Sequence, residues 1–250
     1  MLFQMSQTIQ IGVTSISGDE LIHYLTRYQL LPQFLEEFTI DQALQDITLT
    51  PEEAQHSLNH FRQNQQITTP ELEEQYCQRY RISPEQFQQR AYQLGKIEKY
   101  KQATWGRGID QEFMQTKQQY DRFVYSLLRT NNPELAQELY FRIKEGETNF
   151  ADVARQYSQG AEQESGGLVG PVEARTLHPQ LVQMLASSPL GKILPPTRLG
   201  DWVVIVRPEK VIPAQLDEGM RQRLLQQCWQ RWLQAQTQAL TVNISAPVTP

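Results

Sequence analysis

The side chains best suited to metal or nucleophilic chemistry are few in this chain of 250 residues, which has four histidines and two cysteines. His56 and His60 have the i, i+4 spacing that places two imidazoles on one face of a helix, where they could bind a metal ion. No third ligand is visible in the sequence, so a solvated helix face is the favoured interpretation. Cys77 and Cys228 are far apart and have no metal-ligand spacing, so we interpret them as ordinary buried thiols. The sequence therefore predicts neither a metal nor a cofactor.

Composition and charge narrow the class of protein. The chain has a formal net charge of -5, and 39% of its residues are hydrophobic. This balance allows a sizeable core, and the lack of a long basic stretch argues against nucleic-acid binding. No segment approaches the roughly 20 apolar residues of a membrane-spanning helix, and the N-terminus lacks the basic and apolar regions of a signal peptide. We therefore expect a cytoplasmic protein without a membrane span.

Helix starts are the clearest local signals in the first half of the chain. Thr50 and Ser83 are each followed by proline and, three residues on, by Glu53 or Gln86, which is the pattern of a capping box. Ser17 marks a similar start near the N-terminus. Between these starts, apolar residues recur at helical spacing, so the first half is predicted to be a bundle of about five or six helices.

The segment from Tyr120 to Glu209 combines short strands with short helices. It reads as an apolar strand, YDRFVYSLLRT, a helix ending at Gly146, a second helix from Phe150 to Tyr157, the turn ESGGLVG, a third helix and a final strand. Such a segment predicts a small sheet with helices packed on it. Together with the helical first half, it predicts an α+β fold for the whole chain.

These elements and their order resemble the parvulin family of peptidyl-prolyl cis-trans isomerases over nearly all of residues 119–210. The first half, with PEEAQHSLNHFRQNQQITTPELEEQYCQRYRISPEQFQQR, resembles the N-terminal chaperone domain of SurA-type and PrsA-type foldases over residues 17–118. The resemblance implies a SurA-like helical bundle followed by a parvulin-like (FKBP-like) antiparallel sheet with helices.

The domain organisation follows from these two resemblances. We predict a helical chaperone-like domain at 1–118, a parvulin-like domain at 119–210, a C-terminal helix at 211–240 and a disordered tail at 241–250. The resemblance implies that the C-terminal helix packs back on the helical bundle. Packing of this helix on the isomerase-like unit is the alternative.

The resemblance also implies where a substrate proline would bind. When ESGGLVGPV is aligned with the glycine-rich turn of parvulins, Val169 falls at the first apolar position of the pocket, and Leu177 and Leu181 fall at the next two. Their spacing predicts that Leu177 and Leu181 lie on one face of a helix. The alternative is that these side chains are simply part of the core.

The polar half of the family's site is replaced in this chain. The histidine of the first strand aligns with Ser126, the histidine of the last strand aligns with Trp202, and the third polar position is Gly160. The resemblance implies that the histidines organise a hydrogen-bond network more than they transfer protons, so their loss should weaken isomerisation without abolishing it. No catalytic residue can then be assigned from the sequence. The predicted substrate contacts are Val169, Leu177, Leu181 and Trp202.

Three functions remain open from the sequence. The first is a peptidyl-prolyl isomerase or foldase with weakened catalysis that binds extended proline-containing polypeptide. The second is a non-catalytic peptide-binding chaperone or adaptor, and the third is a helical scaffold protein that has merely kept the isomerase-like unit. Because no export signal is visible, clients of a secretion system or a transporter are the expected partners.

Overall fold

The computed structural model describes residues 8–240, and the tail at 241–250, for which the sequence predicts disorder, lies outside them. The chain forms two compact units, residues 8–109 together with 222–240, and residues 110–221. The domain boundaries predicted after residues 118 and 210 stay predictions. What the structure gives directly is a first unit made from two separated stretches of sequence and a second unit made from one.

The first unit begins with a β-hairpin and continues with helices. Its elements are β1 (Thr8–Ile11), β2 (Thr14–Ser17), α1 (Gly18–Arg27), α2 (Leu31–Ala43), α3 (Pro51–Asn64), α4 (Pro70–Tyr80) and α5 (Pro84–Trp105). A short 3-10 helix, Gly106–Gly108, leads into α6 (Ile109–Tyr120). The hairpin was not expected from the sequence, although its two-residue loop has glycine in a left-handed conformation, at Gly12 with φ +61°, as tight hairpins require.

The predicted helix starts are confirmed. The side chains of Ser17, Thr50 and Ser83 each accept a hydrogen bond from the backbone N–H of the third helical residue. The side-chain oxygen of that third residue in turn accepts a bond from the backbone N–H of the capping residue. These reciprocal bonds satisfy donors that an uncapped helix would leave exposed. The local sequence therefore determines where α1, α3 and α5 begin.

The C-terminal helix α10 (Glu218–Ala239) contributes to the core of the first unit. Its Trp229 and Leu233 are buried in one cluster with Ile40 of α2 and with Leu44, the C-cap residue of that helix. Around them, aromatic rings of α5 and α10 pack at centroid distances of 5.1 to 6.5 Å, many of them edge to face. The expectation that the C-terminal helix packs on the helical bundle is confirmed.

The second unit is built on a four-stranded antiparallel sheet. Its remaining elements are β3 (Arg122–Thr130), α7 (Pro133–Lys144), α8 (Phe150–Tyr157), β4 (Leu168–Glu173), α9 (Pro179–Ser187), β5 (Thr197–Leu199) and β6 (Trp202–Ile212). The strand order is β4-β3-β6-β5. Helices α7 and α8 match the two helices predicted from the sequence, and α8 has the predicted bounds.

The two faces of this sheet have separate cores. On one face, Leu128 and Ile205 pack against α7 and α8 in a cluster that includes Leu139 and Phe150. On the other face, strand residues pack with Leu181 and Leu185 of α9. Side chains alternate between faces along a strand, so the direction of each β3 residue decides which core it joins. The α+β fold class is confirmed.

Candidate functional site

A groove of about 600 Å³ opens on the α9 face of the sheet in the second unit. Strands β3, β4, β5 and β6, the start of α9 and the short 3-10 helix Ala161–Gln163 form its walls. The lining residues are Tyr125, Leu127, Arg129, Ala161, Glu162, Ser165, Leu168, Val169, Gly170, Leu181, Leu199, Trp202 and Val204. The groove is therefore mostly apolar, with a few polar groups at one side, as small-ligand and peptide pockets commonly are.

Three of the four predicted substrate contacts meet in this groove. Val169 lies on β4, Leu181 on α9 and Trp202 at the start of β6, and all three side chains line the cavity. Leu181 is only 6% exposed and belongs to the hydrophobic core as well as to the wall of the groove. Leu181 therefore belongs to the core and also lines the groove, and its contact with a substrate proline stays a prediction.

Leu177 does not share a helix with Leu181, so the predicted common face is wrong. Helix α9 begins at Pro179, and His178 is its N-cap, whose ring nitrogen accepts from the backbone N–H of Gln180. Proline disfavours the helical conformation in the residue before it, so the chain is extended at His178, and Leu177 is extended as well. Leu177 packs against the core beside the groove and is not among the residues that line it.

Ser126 lies on the opposite face of the sheet from the groove. It is buried, and its hydroxyl donates to Oε1 of Glu209 at 2.5 Å. Glu209 also accepts from Arg207, whose guanidinium lies over the ring of Phe150, on the α8 face. The neighbour Tyr125 projects into the groove instead. The structure thus does not bring Ser126 together with Trp202 and Gly160.

An ion pair that the sequence did not predict forms the polar side of the groove. Arg129 of β3 donates from Nε and Nη2 to the two carboxylate oxygens of Glu162, at 3.0 and 2.7 Å. Glu162 is 6% exposed and also accepts from the Ser158 hydroxyl at 2.6 Å. A buried carboxylate is stable only when it is paired and hydrogen-bonded, and these three bonds meet that condition.

Gly160 provides the space that the arginine side chain occupies. A Cβ atom at Gly160 would lie 1.9 Å from Nε of Arg129, which is far inside contact distance. The guanidinium of Arg129 therefore lies against the backbone of Gly160, the residue that the resemblance aligns with the family's third polar position. It also lies 5.9 Å from the centre of the Trp202 ring, within range of a cation–π interaction.

Tyr125 adds a phenol to the same face. Burial raises the pKa of the Tyr125 phenol, and the Glu162 carboxylate raises it further, while Arg129 acts in the opposite direction. The phenol is therefore protonated at neutral pH and is available as a hydrogen-bond donor. One signal for this polar side is present in the sequence. Tyr125, Leu127 and Arg129 are two residues apart along β3, so their side chains share a face of the sheet, and an arginine is unusual on a face that packs against a core.

The histidines and cysteines do not form a metal site in the described part of the chain. The rings of His56 and His60 stack at 6.4 Å beside a cavity of about 1110 Å³ in the first unit. Among residues 8–240, no cluster of three or more histidine, cysteine or acidic side chains could hold a metal ion. Cys77 and Cys228 are both buried and free, and burial raises the pKa of the Cys77 thiol. No helix in the described part of the chain is long and apolar enough to cross a bilayer.

Comparison with known families finds a match within the second unit. Residues 128–210 match the Rotamase family, described as the PPIC-type PPIase domain. This match runs from within β3 to within β6 and so includes every lining residue of the groove except Tyr125 and Leu127. No curated protein sequence is significantly similar to the chain.

Solved structures extend the likeness to the whole chain. The peptidyl-prolyl isomerase PrsA from Bacillus cereus is 18% identical, with 97% of this chain and 95% of that chain covered and a TM-score of 0.55. PrsA from Bacillus anthracis is 14% identical, with coverages of 84% and 99% and a TM-score of 0.49. A chain from a study of two SurA-like chaperones of Campylobacter jejuni is 13% identical, with coverages of 95% and 99% and a TM-score of 0.36. The likeness to the Bacillus cereus protein shows that both units share its fold.

Proposed function

We propose that this chain, which carries a PPIC-type parvulin domain within a PrsA-like fold, binds extended proline-containing polypeptide in the groove and isomerises X-Pro bonds slowly. The observation that carries the proposal is the convergence of Val169, Leu181 and Trp202 on one groove in the matched domain. An apolar groove of this kind suits a pyrrolidine ring, which is compact and has no hydrogen-bond donor of its own.

Isomerisation makes a modest demand on such a site. Rotation about an X-Pro bond faces a barrier of roughly 20 kcal/mol, because twisting removes the resonance of the imide. A thousandfold acceleration requires the twisted form to be bound only about 4 kcal/mol better than the planar forms. An apolar seat that fits the twisted form better than the planar forms can contribute such a difference without a covalent step.

The residues at three positions that align with the family's polar set support weak catalysis. Trp202 gives aromatic surface where the family has a histidine, and Gly160 has no side chain to offer. Ser126 lies on the far face of the sheet, bonded to Glu209. The remaining polar groups at the groove include Arg129, Glu162 and Tyr125, and the first two are occupied with each other.

A protease-coupled isomerase assay on a panel of X-Pro peptides, with binding measured in parallel, tests the proposal. The expected result is measurable binding of proline peptides with turnover well below that of an ordinary parvulin. Turnover equal to an ordinary parvulin would refute the weakened catalysis. Failure to bind any proline peptide would refute the function itself.

A second candidate function, a non-catalytic chaperone, is favoured by apolar surface in the first unit. Phe34 and Phe38 of α2 are about half exposed, at 52% and 46%, and their rings stack at 6.3 Å. Tyr28 and Leu30, just before α2, are also exposed. Contiguous exposed apolar side chains of this kind suit the holding of unfolded polypeptide without regard to proline.

The cellular setting remains a prediction. A cytoplasmic location and clients from a secretion system or a transporter can be tested by fractionating cells that produce the native protein. Recovery of the protein outside the cytoplasmic membrane would remove this part of the proposal.

A further inference from the structure

The guanidinium of Arg129 has one nitrogen left over from its ion pair. Nε and Nη2 donate to Glu162, whereas Nη1 makes no hydrogen bond to any residue in the described part of the chain. The side chain is one-third exposed and lines the groove. An arginine has five N–H donors in a rigid plane, so the bonds to Glu162 fix the direction of the unused ones.

The pairing with Glu162 decides what the unused donors can bind. The Glu162 carboxylate offsets the charge of the guanidinium through two hydrogen bonds, and it would repel an incoming anion. A neutral oxygen acceptor needs no net positive charge and is bound by the N–H dipole alone. The pair therefore favours a peptide carbonyl over a carboxylate or a phosphate.

The position of the donor relative to the apolar wall selects which carbonyl it meets. Arg129 lies over Trp202, and both line the same groove as Val169 and Leu181. In an X-Pro dipeptide the carbonyl of X is bonded directly to the ring nitrogen. With the proline ring seated on the apolar wall, this carbonyl is the peptide acceptor next to the ring and can reach the polar side of the same groove.

We propose that Arg129 donates a hydrogen bond from Nη1 to the carbonyl oxygen of the residue before proline, with Glu162 as the positioning residue. This inference rests on the proposed function of the groove. Twisting the imide withdraws charge from the carbonyl oxygen, so the bond is at least as strong in the planar ground state as in the twisted state. Arg129 then contributes to substrate binding and orientation more than to the rate, and its loss should raise KM with little change in kcat.

The experiment uses two peptides and the full chain. One peptide is Ala-Ala-Pro-Phe, and the other has sulfur in place of the carbonyl oxygen before proline, which is a weaker hydrogen-bond acceptor. The wild-type protein should bind the sulfur peptide about tenfold more weakly, a difference of about 1.4 kcal/mol, which is within the range of one hydrogen bond. Equal binding of the two peptides by the wild type would overturn the inference without any variant.

The double variant Arg129→Met with Glu162→Gln removes both charges together, so that no carboxylate is left buried and unpaired. It should bind the oxygen peptide about tenfold more weakly than the wild type and should no longer distinguish the two peptides. The matched control is Arg207→Met with Glu209→Gln, which removes a similar pair from the opposite face of the sheet. This control should keep the tenfold discrimination, and discrimination that persists in the Arg129 double variant would refute the assignment.

Two further outcomes are separated by the same design. The affinities of the wild type for Glu-Pro and Gln-Pro peptides should agree within about twofold, because the Arg129–Glu162 pair has no net charge. If the wild type prefers Glu-Pro more than tenfold and the Arg129 double variant does not, Arg129 binds an acidic side chain and not the carbonyl oxygen. This result would overturn the inference. Absence of binding to both Ala-Ala-Pro-Phe peptides would refute the proposed function, and the inference with it, whereas binding without discrimination refutes the inference alone.

Discussion

At the scale of single residues, Leu181 contributes both to the core of the second unit and to the wall of the groove. Leu181→Ala should lower the free energy of unfolding by about 2–5 kcal/mol, the usual cost of a buried leucine. It should also weaken a proline peptide more than the same peptide with alanine in place of proline. Urea denaturation and peptide titration measure the two effects.

The matched control for Leu181 is Leu185, which is one turn further along α9 and 1% exposed. Leu185 belongs to the same core but does not line the groove. Leu185→Ala should therefore cost similar stability and leave the ratio of proline to alanine peptide binding unchanged. If both variants change this ratio equally, the effect of Leu181 comes from the core alone.

Gly160 is predicted to be intolerant of any side chain. Gly160→Ala would place a methyl group on the Arg129 guanidinium and force it away from Glu162. We expect a loss of about 1–3 kcal/mol of stability, as for other overpacked sites, and weaker binding of proline peptides. Gly108→Ala is the control, since no neighbouring atom lies within 4 Å of the added methyl group, and it should be close to neutral. A Gly160→Ala protein with unchanged stability would show that the Arg129 side chain can adopt another conformation at no cost.

At the scale of elements, the capping boxes give a direct stability prediction. Ser83 caps α5, a helix of 22 residues that contributes side chains to two hydrophobic clusters of the first unit. Ser83→Ala should lower the free energy of unfolding by about 0.5–2 kcal/mol, because the helix loses a partner for its first N–H groups. Ser83→Asn keeps a capping side chain and should lose only a fraction of this. Equal losses in the two variants would mean that the cap is not the cause.

The contact between α2 and α5 predicts acid sensitivity. Hydrogen bonds from Arg90 are the main cause that lowers the pKa of Glu37 below its ordinary value. The folded state then holds a proton on Glu37 more weakly than the unfolded state does. The stabilisation is present above the ordinary glutamate pKa of about 4.3 and is lost as pH falls through the lower folded pKa.

The test is the melting temperature measured between neutral pH and pH 3. Glu37→Gln should reduce the acid-induced fall in melting temperature, because this group no longer titrates. The neighbour Glu36, which is exposed and makes no ion pair to a described residue, serves as the control. If the melting temperature falls equally at low pH in the wild type and in Glu37→Gln, the acid sensitivity comes from other carboxylates.

At the scale of the whole molecule, the two candidate functions depend on different units. In the full chain, Leu181→Ala should weaken proline peptides yet leave the suppression of aggregation of a denatured client unchanged. Replacement of Phe34 and Phe38 by serine should reduce the suppression of aggregation and leave the binding of proline peptides unchanged. The reason is that these two side chains form exposed apolar surface in the first unit. Light scattering of an aggregating client and peptide titration measure the two activities. Loss of both activities in either variant would show that they share one surface.

How far the sequence could predict this molecule depended on the range of the interaction. The bounds of α8 and the starts of α1, α3 and α5 follow from capping residues within three positions of the helix. The three apolar side chains in the groove were found because turn and strand residues aligned with a known family. These are signals that a short window of sequence contains.

The polar side of the groove could not be found in the same way. Arg129 and Glu162 are 33 positions apart, and nothing local joins them. Ser126 and Tyr125 are adjacent, and a shift of one residue along a strand exchanges the faces of the sheet, so a sequence alignment alone did not show which of them enters the groove. Leu177 was assigned to a helix from its spacing, although Pro179 prevents the helix from extending back to it.

The split of the first unit into residues 8–109 and 222–240 affects the order in which a newly made chain can mature. Trp229 and Leu233 of α10 leave the ribosome after the entire second unit has been made, so their partners Ile40 and Leu44 stay uncovered during that time. At about 5–20 residues per second, this delay is on the order of ten seconds. The second unit is continuous in sequence, so we expect protease-resistant structure to arise there first in nascent chains of increasing length. A message truncated before α10 would then yield a protein with a complete groove and an unfinished bundle, prone to aggregate.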